Sequence, residues 1–222
     1  MAKLLKKIQF LAFLSIFSLL LLPKSAQAAP TSLILITELK TGQGSAEFIE
    51  IENISDSSLN LNDWRLQYHS TSSETWSNKV LTFVDPLVTM LNPGDRALLS
   101  ATGNNPAGSS PIANFTSGFA DGGGAVRFVP AVSLDQAQGD MIVWGSPDNP
   151  ACTIAPKHAD NQSLKRFPSG DGVIVDSSTS GKDYYVSNSP SPALIDTQDP
   201  FSIDEVVRSC GKPADLIDGP AA

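Results

Sequence analysis

The chain has 222 residues, 41% of them hydrophobic and 17% charged, which is the composition of a folded globular protein and not of a disordered one. Its formal charge of −8 repels phosphate backbones, so nucleic acid is not an expected partner. Two cysteines cannot build a zinc site without histidine nearby, and His69 and His158 are the only histidines.

The first residues form a different kind of polymer from the rest. Lys3, Lys6 and Lys7 make a basic start, and Ile8 to Leu22 is apolar except for Gln9, Ser15 and Ser18. Pro23 breaks any helix, and Ala26-Gln27-Ala28 supplies small side chains where a signal peptidase reads. The apolar run is shorter than the roughly twenty residues that span a bilayer. Residues 1–28 are therefore predicted to be a cleaved export signal, with a retained anchor as the alternative. Cutting after Ala28 removes Lys3, Lys6, Lys7 and Lys24 and no acid, moving the formal charge from −8 to −12. A secreted or cell-surface location follows. Cys152 and Cys210 both fall in the exported part, where an oxidising environment predicts one disulfide between them. Two free thiols are the alternative.

Past the signal, short apolar-alternating stretches follow one another. Ser32–Lys40 is rich in branched residues, and Ala46–Ile54 alternates with a period of two. On the second stretch Ile49 and Ile51 share one face, predicted to meet a core. Phe48, Glu50 and Glu52 share the other, with the acids toward solvent. Ser55–Asn60 is turn chemistry. Trp64, Leu66 and Tyr68 alternate along a third strand, and Val80–Val84 and Arg96–Ser100 read as two more. Thr102–Gly124 is predicted to be a long loop anchored by Phe115 and Phe119. Ala125–Val129, Met141–Trp144 and Ser163–Phe167 complete the pattern. Seven or more short strands without helical periodicity predict an all-β sandwich or barrel. From about Asp196 the pattern decays into a loose tail.

Several segments, in order, resemble the lamin-tail domain family: Ile36-Thr37-Glu38, Glu47 to Asn53, Leu61 to Leu66, Leu91-Asn92-Pro93-Gly94-Asp95, Asp140 to Gly145 and Ser163 to Arg166. Asn188 to Pro192 is similar to the family's closing segment. The resemblance implies an immunoglobulin-like β-sandwich over about residues 32–195, followed by a tail, 196–222, tied back if Cys152 and Cys210 are bridged. It supplies no catalytic residue. With no coiled-coil rod and no basic linker, the nuclear roles known in the family are not expected here.

Candidate chemistry is sparse. A hydrolase would need a nucleophile, a base and an orienting acid. His69 and His158 are the only histidines, and no G-x-S-x-G elbow occurs. Such a site would lie in the loops Thr102–Gly124 and Ala151–Asn161. Calcium is possible at Asp121 with the glycines after it, or at Asp171 and Asp176, but no EF-hand-like loop is present. No other cofactor and no metal site is expected. Trp64 and Trp144 belong to a core. Trp76 stands among Ser, Thr, Glu and Asn, and is either a packed loop anchor or an exposed aromatic for a sugar or protein. The leading expectation is a non-enzymatic binding or structural module with a protein or glycan partner at the cell surface. An exported hydrolase and a calcium-stabilised adhesin are the alternatives.

Overall fold

The computed structural model describes residues 32–42, 46–103, 105–116, 118–134, 138–145, 154–166, 183–188 and 190. The export signal, Cys152, Cys210, Asp171, Asp176 and the tail from residue 196 lie outside the described residues.

Thirteen strands are described: β1 Ile34–Lys40, β2 Phe48–Asn53, β3 Leu59–Asn60, β4 Trp64–Ser70, β5 Ser77–Lys79, β6 Leu81–Phe83, β7 Met90–Leu91, β8 Arg96–Ala101, β9 Ala113–Phe115, β10 Gly124–Pro130, β11 Asp140–Trp144, β12 Ser163–Arg166 and β13 Tyr184–Ser187. They form a seven-stranded sheet in the order β13-β12-β1-β2-β8-β9-β6, a four-stranded sheet in the order β11-β10-β4-β5, and the small pair β3-β7. All described pairings are antiparallel except β8 with β9. The fold is an immunoglobulin-like β-sandwich. Each strand expected from alternation is present. β9 sits inside what the sequence presents as one long loop, and Phe115 and Phe119 on that segment are buried as expected.

The core lies between the two main sheets. Ile36, Leu39, Ile49, Ile51 and Leu99 come from one, and Leu66, Tyr68, Val126, Phe128, Ile142 and Trp144 from the other. Trp64 stacks on Phe128 with ring centroids 5.5 Å apart, while Phe119 bridges Phe115 and Tyr68 at 5.0 and 5.3 Å. Aromatic pairs of this kind add roughly 0.5–1.5 kcal/mol beyond their buried area.

The recurring turn motifs have a shared reason. Pro93 and Gly94 occupy the middle of a turn in which the Asp95 N–H donates to the Asn92 carbonyl and Gly94 takes φ of +76°. This is a type II turn, which requires a positive φ at its third residue. The Gly94 N–H then donates to the Asn53 carbonyl. Asn53, fully buried, donates through Nδ2 to the carbonyls of Ser57 and Leu91, both at 2.8 Å. The Asn that closes β2 thus holds the next two loops.

One expectation is corrected. Glu50 is not on a solvent face: it is 1% exposed. It accepts from the Thr37 hydroxyl at 2.6 Å and pairs with Arg96 at 3.1 Å, while Glu52, half-buried, takes Arg96 Nε at 2.8 Å. The alternation marks two faces correctly, but neighbouring strands supply partners to the acids, so the second face of β2 is closed as well. Phe48, on the same face, is 1% exposed.

Candidate binding face

The four-stranded sheet turns Trp64, Leu66, Tyr68, Val126, Phe128, Ile142 and Trp144 toward the core, so the intervening residues of β4 and β10 lie on its other face, where Gln67 and Val129 are buried and Arg127 is half-buried. There Arg127, Gln67 and Asn78 stand directly opposite one another across three strands. Arg127 Nε donates to Gln67 Oε1 and Gln67 Nε2 donates to Asn78 Oδ1, each at 2.7 Å. The three side chains make one hydrogen-bonded row.

Trp76 closes over this row. The Arg127 guanidinium lies 4.3 Å from the centre of the Trp76 ring, and the His69 ring is 5.4 Å away, tilted by 59°. Partial burial lowers the Arg127 pKa from its ordinary value. The indole is half-buried, neither packed in the core nor standing free. Beside it is a shallow hollow of about 330 Å³ lined by His69, Thr71, Ala125, Val143 and Ile154 with glycines 122, 124 and 145. Two of these glycines are required by crowding. A Cβ on Gly124 would meet Tyr68 and the His69 carbonyl within 3 Å, and one on Gly145 would come 2.3 Å from Gly123 Cα. Trp76 and His69, separate suggestions in the sequence, therefore meet on one surface. Arg127 was hidden as a single polar residue in an apolar run, and Gln67 as one of several polar residues alternating along β4.

His158 and Asp121 come together elsewhere, at one end of the sandwich. His158 is 6% exposed, and its Nε2 faces the Thr41 hydroxyl at 3.2 Å and the Thr41 N–H at 3.4 Å. Nδ1 faces the Ala159 carbonyl at 3.1 Å. Accepting from Thr41 and donating to Ala159 is the pattern of a neutral imidazole. Burial lowers the His158 pKa, opposed by the Ala159 carbonyl and the Asp121 charge and reinforced by Lys40. Nearby, burial raises the Glu47 pKa against the N–H groups of Phe119 and Gly42 that its carboxylate accepts. Among the described residues no group of three or more His, Cys, Asp or Glu side chains is placed to hold a metal ion, and no helix is long and apolar enough to cross a membrane.

A buried network joins the sheets and was not foreseen. Asp140 on β11 pairs with Arg166 on β12, and Arg166 also reaches Asp183, the Tyr184 hydroxyl and the Ile36 carbonyl. Burial holds the Tyr184 hydroxyl well above the ordinary phenol pKa.

A β-sandwich whose buried acids Glu50 and Asp140 are paired to partners on neighbouring strands, with a half-buried aromatic over its four-stranded sheet, belongs to the class of immunoglobulin-like binding or structural modules. The family model described as Lamin Tail Domain matches residues 27–182, and the chain belongs to that family, a non-catalytic immunoglobulin-like one. No curated protein matches it.

Proposed function

We propose that the chain is exported and works at the cell surface as a non-enzymatic module that binds a glycan or protein partner. The observation that carries this reading is the Trp76–Arg127–Gln67–Asn78 array beside the hollow at His69. An aromatic plane next to fixed hydrogen-bonding groups suits a sugar ring or a polar peptide, both of which offer an apolar patch flanked by hydroxyls or amides. The basic and apolar start of the sequence supports export. Supporting the non-enzymatic reading, His158 has both ring nitrogens engaged by Thr41 and Ala159 and little exposure.

The test is binding of the exported chain to an array of cell-wall glycans and to envelope-fraction proteins, alongside the Trp76→Ala variant. A bound glycan or protein that is lost in the variant, with the fold intact by circular dichroism, supports the proposal. Binding unchanged by Trp76→Ala removes this face from the function. Turnover of an ester, phosphoester or glycoside substrate that disappears in His158→Ala would replace the proposal with a hydrolase.

A further inference from the structure

β5 and β6 are one strand that changes sheets at Val80. Ser77–Lys79 pairs with β4 and ends the four-stranded sheet, whereas Leu81–Phe83 pairs with β9 and ends the seven-stranded one. The opposite edge of the four-stranded sheet, β11, is capped, because Ala155 donates to the Val143 carbonyl and accepts from Gly145. The β6 edge carries none of the usual protections of an edge strand, such as inward charge or proline, until Asp85 and Pro86. Val80 and Val84 are each 61% exposed, and Thr82 between them is exposed. Among the described residues eight large hydrophobics are exposed, and five of them, Val80, Val84, Leu87, Val88 and Met90, fall in this stretch. Such clustering is what marks a contact surface, since isolated exposed apolar residues are ordinary.

We propose that the partner for this edge is a second copy of the chain, paired antiparallel about a two-fold axis through Thr82. The sequence from Lys79 to Asp85, KVLTFVD, is complementary to itself in that register. Thr82 faces Thr82, Leu81 faces Phe83, Val80 faces Val84, and Lys79 faces Asp85. A two-fold contact must be self-complementary in this way, and directly opposed residues of a strand pair are the ones that touch. The register also answers the electrostatic objection to self-association of so acidic a chain. Residues 75–84 contain no acid, and the Asp85 of each copy lies opposite a lysine instead of another carboxylate. Lys79 Nζ lies over the Tyr68 and Phe119 rings at 4.9 and 5.8 Å, 3.4 Å from the Gly118 carbonyl and beside the Glu47 charge, so in the pair it exchanges these contacts for the Asp85 carboxylate of the second copy.

Sedimentation of the exported full chain tests this. Dimers in the wild type are expected. Val80→Lys with Val84→Lys places lysines opposite each other twice and should give monomers, while Val80→Lys with Val84→Glu should restore dimers. Thr82→Cys should form a covalent dimer through residue 82 under mild oxidation, identifiable by peptide mass. Opposed Cα atoms in such a ladder stand about 4.5–5.5 Å apart, inside the reach of a disulfide. A wild type that stays monomeric at millimolar concentration overturns the proposal. So does dimerisation that survives the double-lysine change, or a Thr82→Cys chain that does not cross-link to itself.

Discussion

Arg166 and Asp140 meet between the two sheets, and the Asp140 oxygen that receives the guanidinium also accepts the Ile36 N–H at 2.7 Å. The Ile36 carbonyl is taken at the same place, by Arg166 Nε at 2.9 Å and the Tyr184 hydroxyl at 2.7 Å. Both backbone groups of Ile36 are thereby spent on side chains from β11, β12 and β13, at the position where the register of β1 with β2 shifts between Ile36 and Glu38. A bulge leaves backbone groups without ladder partners, and here a buried ion pair satisfies them.

Removing one member of the pair should therefore cost more than the pair contributes. Asp140→Ala leaves the guanidinium buried and Ile36 N–H unsatisfied, and should lower stability by about 3–5 kcal/mol in urea unfolding. Asp140→Asn, which keeps an acceptor for the Ile36 N–H while Asp183 still pairs with Arg166, should lose less than Asp140→Ala.

His158 makes stability depend on pH. Its pKa in the fold is below the ordinary value of 6.5, so as pH falls below 6.5 the unfolded chain takes up a proton before the folded one does. Its contribution is complete above pH 6.5 and is lost between that value and the lower pKa of the fold. Melting temperature should drop over this range in the wild type, and the part due to His158 should vanish in His158→Gln.

Asn53 answers for two loops, so its replacement should be costly although it makes no ion pair. Asn53→Ala leaves the carbonyls of Ser57 and Leu91 without this donor and should destabilise by about 1–3 kcal/mol. Gly94→Ala tests the turn it supports. Nothing lies within 4 Å of the added Cβ, so the loss, about 1–2 kcal/mol, would come from the left-handed backbone alone.

Trp76→Ala separates binding from stability. The contact with Arg127 is partly exposed, and such cation–π pairs contribute about 0.5–1 kcal/mol. Thermal unfolding should shift only slightly, while binding of the surface partner should be lost.

The motif Asn53-Ile54-Ser55 illustrates how short patterns mislead. It matches a glycan-acceptor signal, yet Asn53 Nδ2 is buried and doubly hydrogen-bonded, so the match reflects the turn chemistry after β2.

Strand identity, the two-faced pattern of β2, the turn at Pro93-Gly94 and the family were legible along the chain, because period-two alternation and positive-φ turns are local properties. Trp64 and Trp144 as core residues were legible for the same reason. The short strands β3, β5, β7, β9 and β13 were not, since two to four residues carry little periodicity and depend on a partner strand to exist. Likewise no local signal joins Arg166 to Asp140, 26 residues away, or sets Trp76 over Arg127, or closes the acidic face of β2 with Thr37 and Arg96. Charges and aromatics acquire their roles from neighbours far along the chain, and only packing the two sheets together decides which of them are buried and which stay open.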